Sequence, residues 1–122
     1  MSANLHFELP MTVVLNANAR EHWAPKAAKV RNLRALGSKA AMDIDDTFDR
    51  AHLTIHIGYP DKRRRDDANL HPTFKALIDG AVDAGLLPDD DRTRLIGPDL
   101  RSYVAGRRGL LVLDFEFVEV AS

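Results

Sequence analysis

Three arginines, Arg63, Arg64 and Arg65, stand directly against two aspartates, Asp66 and Asp67, with Asn69 and Lys75 just beyond. Further on, Pro88 opens a second acidic run, Asp89-Asp90-Asp91. Converging carboxylates bind Mg²⁺ or Mn²⁺, because hard cations take oxygen ligands. Such a metal on a phosphodiester polarises the P–O bonds and lowers the pKa of an attacking water. A lysine beside it offsets charge in the transition state. Arginines hold flanking phosphates, contacts that position rather than read sequence. The residue types therefore suit metal-assisted phosphodiester hydrolysis. Ordinary readings stand beside this one. Asp66 or Asp67 would serve as a helix cap. Pro88 to Asp91 would serve as an exposed turn. Lys75 and Asp79 would form an i,i+4 surface pair.

These residues need elements to hold them. Asn4 to Leu9 alternates Leu5, Phe7 and Leu9 with polar residues and predicts a strand. A loop follows, in which Trp23 is either a core anchor or part of the site, with Asn16, Asn18 and His22. Pro25 in a first turn predicts a helix running to about Met42, with Val30, Leu33, Leu36 and Ala40 as its apolar side. Ala51 to Tyr59 predicts a second strand, with Leu53, Ile55 and Ile57 inward and His52 and His56 outward. These histidines have no evident carboxylate in register and suit a surface or dimer contact.

A second helix is predicted from about His71 to Ala84, with Pro72 in its first turn and Gly85 as its stop. Phe74, Leu77, Ile78, Ala81 and Val82 form its stripe. Leu86-Leu87 re-enters the core. Arg92 to Ile96 and Leu100 to Val104 read as strand pieces around Gly97-Pro98, and Leu110 to Val120 as a central strand. The order is β-α-β-α-β-β: an α/β (α+β) domain spanning 1–122, with one mixed sheet and two main helices. A helix of about 14 residues is about 21 Å long. The two acidic groups therefore meet only if Leu86 to Asp91 doubles back along it.

With 122 residues the chain suits one modest core, and its 45% hydrophobic and 29% charged content is that of a soluble globular protein. It has no cysteine, which excludes disulfides, thiolate zinc sites and thiol nucleophiles and fits a reducing cytoplasm. No signal peptide or membrane span is expected. No HExxH, P-loop or GxGxxG motif occurs, and no organic cofactor is expected. Net charge is −1, but Arg20, Lys26, Lys29, Arg31, Arg34 and Lys39 gather in one stretch, and Lys62 to Arg65 in another. Such local basic patches around an acidic centre suit an enzyme acting on nucleic acid.

The block from Arg63 to Leu95 resembles the RusA family of Holliday junction resolvases, small phage and prophage endonucleases of DNA recombination and repair. The carrying residues are Arg63-Arg64-Arg65-Asp66-Asp67-Ala68-Asn69, Lys75-Ala76-Leu77-Ile78-Asp79, Asp83-Ala84-Gly85 and Asp89-Asp90-Asp91. The opening, Leu9-Pro10 through Leu15-Asn16 to His22-Trp23 before a basic helix, is similar too. The resemblance implies a homodimer that nicks four-way DNA junctions symmetrically with Mg²⁺ or Mn²⁺. It implies Asp66, Asp90 and Lys75 as catalytic residues and Asp66, Asp67, Asp89 and Asp90 as metal ligands. It implies DNA contacts from Arg63, Arg64, Arg65, Asn69, Lys26, Lys29 and Arg31. The first helix or the edge of Ala51 to Tyr59 would form the dimer contact.

Two departures stand out. Ala68 occupies the family's second acidic position, and three extra residues around His71-Pro72-Thr73 precede Lys75. The alternative expectation is a non-catalytic junction- or nucleic-acid-binding module on the same fold. A small structural protein with solvated acidic turns is the third.

Overall fold

The computed structural model describes residues 1–20 and 22–121. Six main elements follow the expected order: β1 (Ser2–Pro10), α1 (Trp23–Met42), β2 (Ala51–Tyr59), α2 (His71–Asp83), β3 (Leu95–Val104) and β4 (Leu110–Glu119). Short 3₁₀ turns cover Met11–Val13 and Asp67–Leu70. The strands form one mixed sheet in the order β1-β4-β2-β3. β4 runs antiparallel to both β1 and β2, whereas β3 runs parallel to β2 after the α2 crossover.

Strand alternation builds one buried face. Leu5 and Phe7 of β1, Leu113 and Phe115 of β4, and Leu53, Ile55 and Ile57 of β2 share one core with both helices. Phe115 meets the Phe7 ring edge-on at 5.4 Å and the Phe74 ring of α2 at 6.1 Å. It thereby joins sheet to helix. The opposite face carries His6, Asp114, Thr54 and His56 in register and faces solvent.

β4 is central, as its two-sided apolar start suggests, but three expectations change. β2 has β4 on one side and β3 on the other, so it offers no free edge for a dimer; β1 and β3 are the edge strands. The pieces around Gly97-Pro98 are one strand, β3, whose register against β2 shifts between His52 and Thr54. That shift sets the Asp99 carboxylate 2.5 Å from His52 Nε2, so His52 does have an acidic partner.

The third change concerns α1. Its buried residues are Leu33, Gly37 and Ala41, spaced by four, while Leu36 is exposed. Gly37 causes this. A Cβ there would lie 2.1 Å from the Leu77 carbonyl oxygen, and one on Gly80 would lie 2.0 Å from that of Arg34. The helices thus cross backbone against backbone, and the bare glycine side becomes the packing face.

The C-terminus of α2 ends as its sequence suggests. Gly85 has φ +87°, its N–H donates to Val82 and the Leu86 N–H donates to Ala81. This is a Schellman turn, which satisfies the last carbonyls and reverses the chain. Leu86 and Leu87 then bury themselves in the core.

Gly80→Ala tests the helix crossing. The methyl has no room without separating α1 from α2, and overpacking of this kind costs about 1–3 kcal/mol. Thermal unfolding followed by circular dichroism should show a midpoint lowered by several degrees. An unchanged midpoint would mean that the helices are not in backbone contact.

Candidate active site

The segment between β2 and α2 makes the site. Asp66 is the N-cap of the 3₁₀ turn, its Oδ1 accepting the Ala68 N–H at 3.0 Å. Capping is therefore one thing Asp66 does. It also lines a cleft of about 320 Å³ with Asn16, Tyr59, Arg64, Arg65 and Asn69 above an apolar floor of Met11, Val14 and Leu70. A shallower depression beside it is lined by Arg64, Arg65, Asp66, Asp67 and Ser102. The arginines and aspartates thus share one concave surface.

Thr73, fully buried in the first turn of α2, ties the loop after β1 to that helix. Its hydroxyl donates to the Leu15 carbonyl and accepts from the Leu15 N–H, both at 2.8 Å. The Ala17 N–H donates to the Asn69 carbonyl at 2.8 Å. These bonds stitch the loop after β1 to the start of α2 and bring Asn16 beside Asp66. The stretch around His71-Pro72-Thr73 thereby has a structural role.

Tyr59, at the end of β2, organises the other side. Its hydroxyl donates to Asp67 Oδ1 at 2.7 Å. Burial first, then this hydrogen bond, holds the Tyr59 phenol well above its ordinary value of 10.0. The Arg65 guanidinium lies 5.1 Å from the centre of the Tyr59 ring and donates to Asp61 Oδ1 at 2.7 Å. Cation–π contact and ion pair together fix Arg65. Arg65, aided by the Arg63 N–H, holds the Asp61 carboxyl down at about 2. Arg63 and Arg64 are exposed, and the Arg64 side chain makes no hydrogen bond or ion pair among the described residues.

The return after Gly85 carries Asp90 back along α2. Its carboxylate meets the Lys75 ammonium, which also donates to Asp79 Oδ1 at 3.0 Å. The Asp90 partnership, followed by Asp79, raises the Lys75 pKa, and Lys75 lowers that of Asp90. The doubling-back required by the helix length does occur. Lys75, however, engages Asp79 and Asp90 rather than Asp66. Asp89 Oδ1 accepts the Asp90 N–H at 2.7 Å, and Asp91 Oδ1 accepts the Thr93 N–H at 2.8 Å. Among the described residues, no group of three or more His, Asp or Glu is gathered as a metal cage.

The remaining expected contacts lie elsewhere. Lys26 and Arg31 are exposed on α1 and Lys29 is half-buried there; none of them lines the cleft. Trp23 is not a core anchor: it is 83% exposed at the start of α1. Phe48 is fully buried in the core. Asn16 and Tyr59 are site-building residues outside the Arg63–Asp91 block, and Thr73 is one within it. Only Asn16 carried a sequence signal, its place in the polar loop before the basic helix.

No protein-family model matches this chain, and no match was found among curated proteins. Among solved structures, a thiamine-monophosphate kinase from Stenotrophomonas maltophilia K279a aligns over 98% of this chain and 31% of its own, at 15% identity. The TM-score of 0.23 is too low for that likeness to bear on fold or activity. No helix among the described residues is long and apolar enough to cross a membrane.

Tyr59 offers a direct test of the local geometry. A phenol with a raised folded-state pKa contributes stability that is whole below its unfolded value near 10. That contribution is lost as the pH rises through the folded value. In a Tyr103→Phe background, phenolate absorbance should report Tyr59 ionising above pH 10. Asp67→Asn should bring it part of the way down, because burial remains. Ionisation at the ordinary value would show that the phenol is neither buried nor bonded to Asp67.

Proposed function

We propose that this chain is a metal-dependent, structure-selective DNA endonuclease of the RusA type, acting as a homodimer on four-way junctions. The observation that supports it best is the cleft in which the Asp66 carboxylate stands beside Arg64 and Arg65. Cation-binding and phosphate-binding groups share one concave wall there, as hydrolysis of a polyanion requires.

The carboxylates fit Mg²⁺ by their chemistry. Mg²⁺ keeps several waters and is commonly held by one or two carboxylates together with substrate phosphates, so an all-protein cage is not needed. Asp66 and Asp90 would hold it, with Asp89 bonded to the Asp90 backbone in support. Asp67, engaged by Tyr59, is better suited to fixing the loop than to replacing the acid absent at Ala68. Bound there, the metal would supply Lewis acidity and an activated water.

The chain's own groups do the rest. Lys75, kept protonated by Asp79 and Asp90, would offset phosphoryl charge. Arg64 and Arg65 would grip the flanking phosphates, with Arg63 and Asn69 beside them. Lys26, Lys29 and Arg31 would extend the contact along α1. A two-fold dimer would present identical sites to opposing strands and make paired nicks a consequence of symmetry.

The second reading is a junction-binding module without catalysis. Ala68 favours it, as does the engagement of Asp66 Oδ1 by the Ala68 N–H.

A labelled mobile four-way junction separates the two. With Mg²⁺ or Mn²⁺, the wild type should give paired symmetric nicks. Asp90→Asn should lower the rate on the order of 100-fold, the scale seen when metal-site support is lost, while binding in EDTA persists. Tight, salt-sensitive binding with no nicks, and cleavage gained on Ala68→Asp, would establish the binding module instead. No binding even at low salt would reject both.

A further inference from the structure

The cleft at Asp66 has a feature that phosphate binding leaves unexplained. Phosphates are held by charge and by N–H donors, and need no apolar floor. Here Met11, Val14 and Leu70 form one, with the Tyr59 ring beside them, and the charged groups are Arg64, Arg65 and Asp66. At about 320 Å³ the cleft sits at the small end of sites for organic molecules. Its two amides are poised in a particular way. Asn16 Oδ1 accepts the Asn18 N–H at 2.8 Å, which leaves the Nδ2 group to donate. The backbone of Asn69 is committed on both sides, its N–H to Asp66 at 3.1 Å and its carbonyl to Ala17 at 2.8 Å. The Asn69 side chain makes no hydrogen bond among the described residues. Both amides therefore line the cleft with hydrogen-bonding capacity unspent.

We infer that this cleft receives one unstacked nucleobase, its ring on Met11, Val14 and Leu70 and its edge met by Asn16 and Asn69. The inference rests on the reading of the chain as a DNA-binding protein and adds a base-selective subsite to it. A side-chain amide offers a donor and an acceptor side by side, the pattern that pairs with base edges. Extruded bases are held in just this way, by apolar contact with the ring and hydrogen bonds to the edge. Arg64 and Arg65, at the same cleft, meet the phosphates on either side of the extruded nucleotide. Extrusion costs least where a base is already poorly paired, and a branch point supplies such bases. The carboxylate of Asp66 in the same cleft ties the base taken up to the phosphate that is cut. Thr73 contributes indirectly, because its bonds to Leu15 hold the loop that carries Asn16.

The test uses four-way junctions carrying 2-aminopurine at single positions around the branch, with the full-length protein in EDTA, so that no cleavage enters the readout. Binding should raise the fluorescence strongly at one position, as that ring leaves the stack. Asn16→Ala and Asn69→Ala should each shrink the rise. They should also reduce discrimination among the four natural bases at that position at least about fivefold, the low end for a lost amide–base pairing. Circular dichroism of the variants checks that they remain folded. Tight wild-type binding with no rise at any position overturns the base pocket and leaves the junction-binding reading intact. A rise that both variants leave unchanged overturns it as well, since another surface then takes the base. Displacement by free mononucleotides at concentrations below those of the DNA site would make the cleft a nucleotide pocket rather than a DNA subsite. Absence of any binding at low salt removes the inference together with the reading beneath it.

Discussion

One hydroxyl holds the candidate site in shape. Thr73 is buried, and its oxygen satisfies both backbone groups of Leu15 at once. Leu15 lies in an irregular stretch after β1 and is itself buried. Without a partner, its N–H and carbonyl would be unpaired polar groups in the interior, a state that costs about 1–3 kcal/mol for each group. The first turn of α2 supplies that partner because Thr73 can donate and accept through the same atom. The Met11–Ala17 segment is thereby welded to the Asp66–Thr73 segment. Both segments line the cleft, the first with Asn16 and the second with Asp66 and Asn69, and the weld holds them together.

The second constraint is the path of α2. Gly37 and Gly80 let the helix lie backbone to backbone against α1. The Schellman turn at Gly85 and the burial of Leu86 and Leu87 then send the chain back the way it came. Asp90 arrives at Lys75, about 6 Å along the axis from the start of the helix. A helix long enough to separate two acidic groups has been folded over so that the second returns towards the first. Hydrophobic burial of two leucines thus decides where a carboxylate stands, and the charge chemistry follows from packing.

Much of this was legible in the sequence. Period-two alternation in β1 and β4, Pro25 and Pro72 in first turns, and Gly85 as a stop all act locally, and each element lies where its own residues put it. What was hidden depended on approach between distant segments. Leu36 looks like a core residue of α1, but the face that packs is chosen by Gly37, whose lack of a side chain matters only once Leu77 is opposite. Trp23 looks like an anchor, yet lies at the exposed start of α1 while Phe48 fills the core. His52 acquires an acidic partner through a register shift between two strands, which no local pattern announces. In the site, Arg64, Arg65, Asp66 and Asn69 were identifiable by type and spacing. Thr73 and Tyr59 were not, because a buried threonine and a strand-end tyrosine become site residues only through what they touch.

The pairing of charges bears on what the cleft presents outward. Asp61 is neutralised by Arg65, Asp67 is hydrogen-bonded by Tyr59, and Asp90 and Asp79 share Lys75. These pairs commit Asp61, Asp67, Asp79 and Asp90 to holding the loop and the helix surface in place. Arg64, with no ion pair of its own among the described residues, and Asp66, with one oxygen given to a backbone N–H, remain to meet something else. Two opposite charges on one wall that do not neutralise each other suit a ligand of mixed sign. A divalent cation riding on a polyanion is such a ligand, because the metal answers the carboxylate and the phosphates answer the guanidinium. A simple anion would be repelled by Asp66 and a simple cation by Arg64. Ala68, between Asp67 and Asn69, adds no charge to this stretch, so the wall is less negative than a third successive carboxylate would make it.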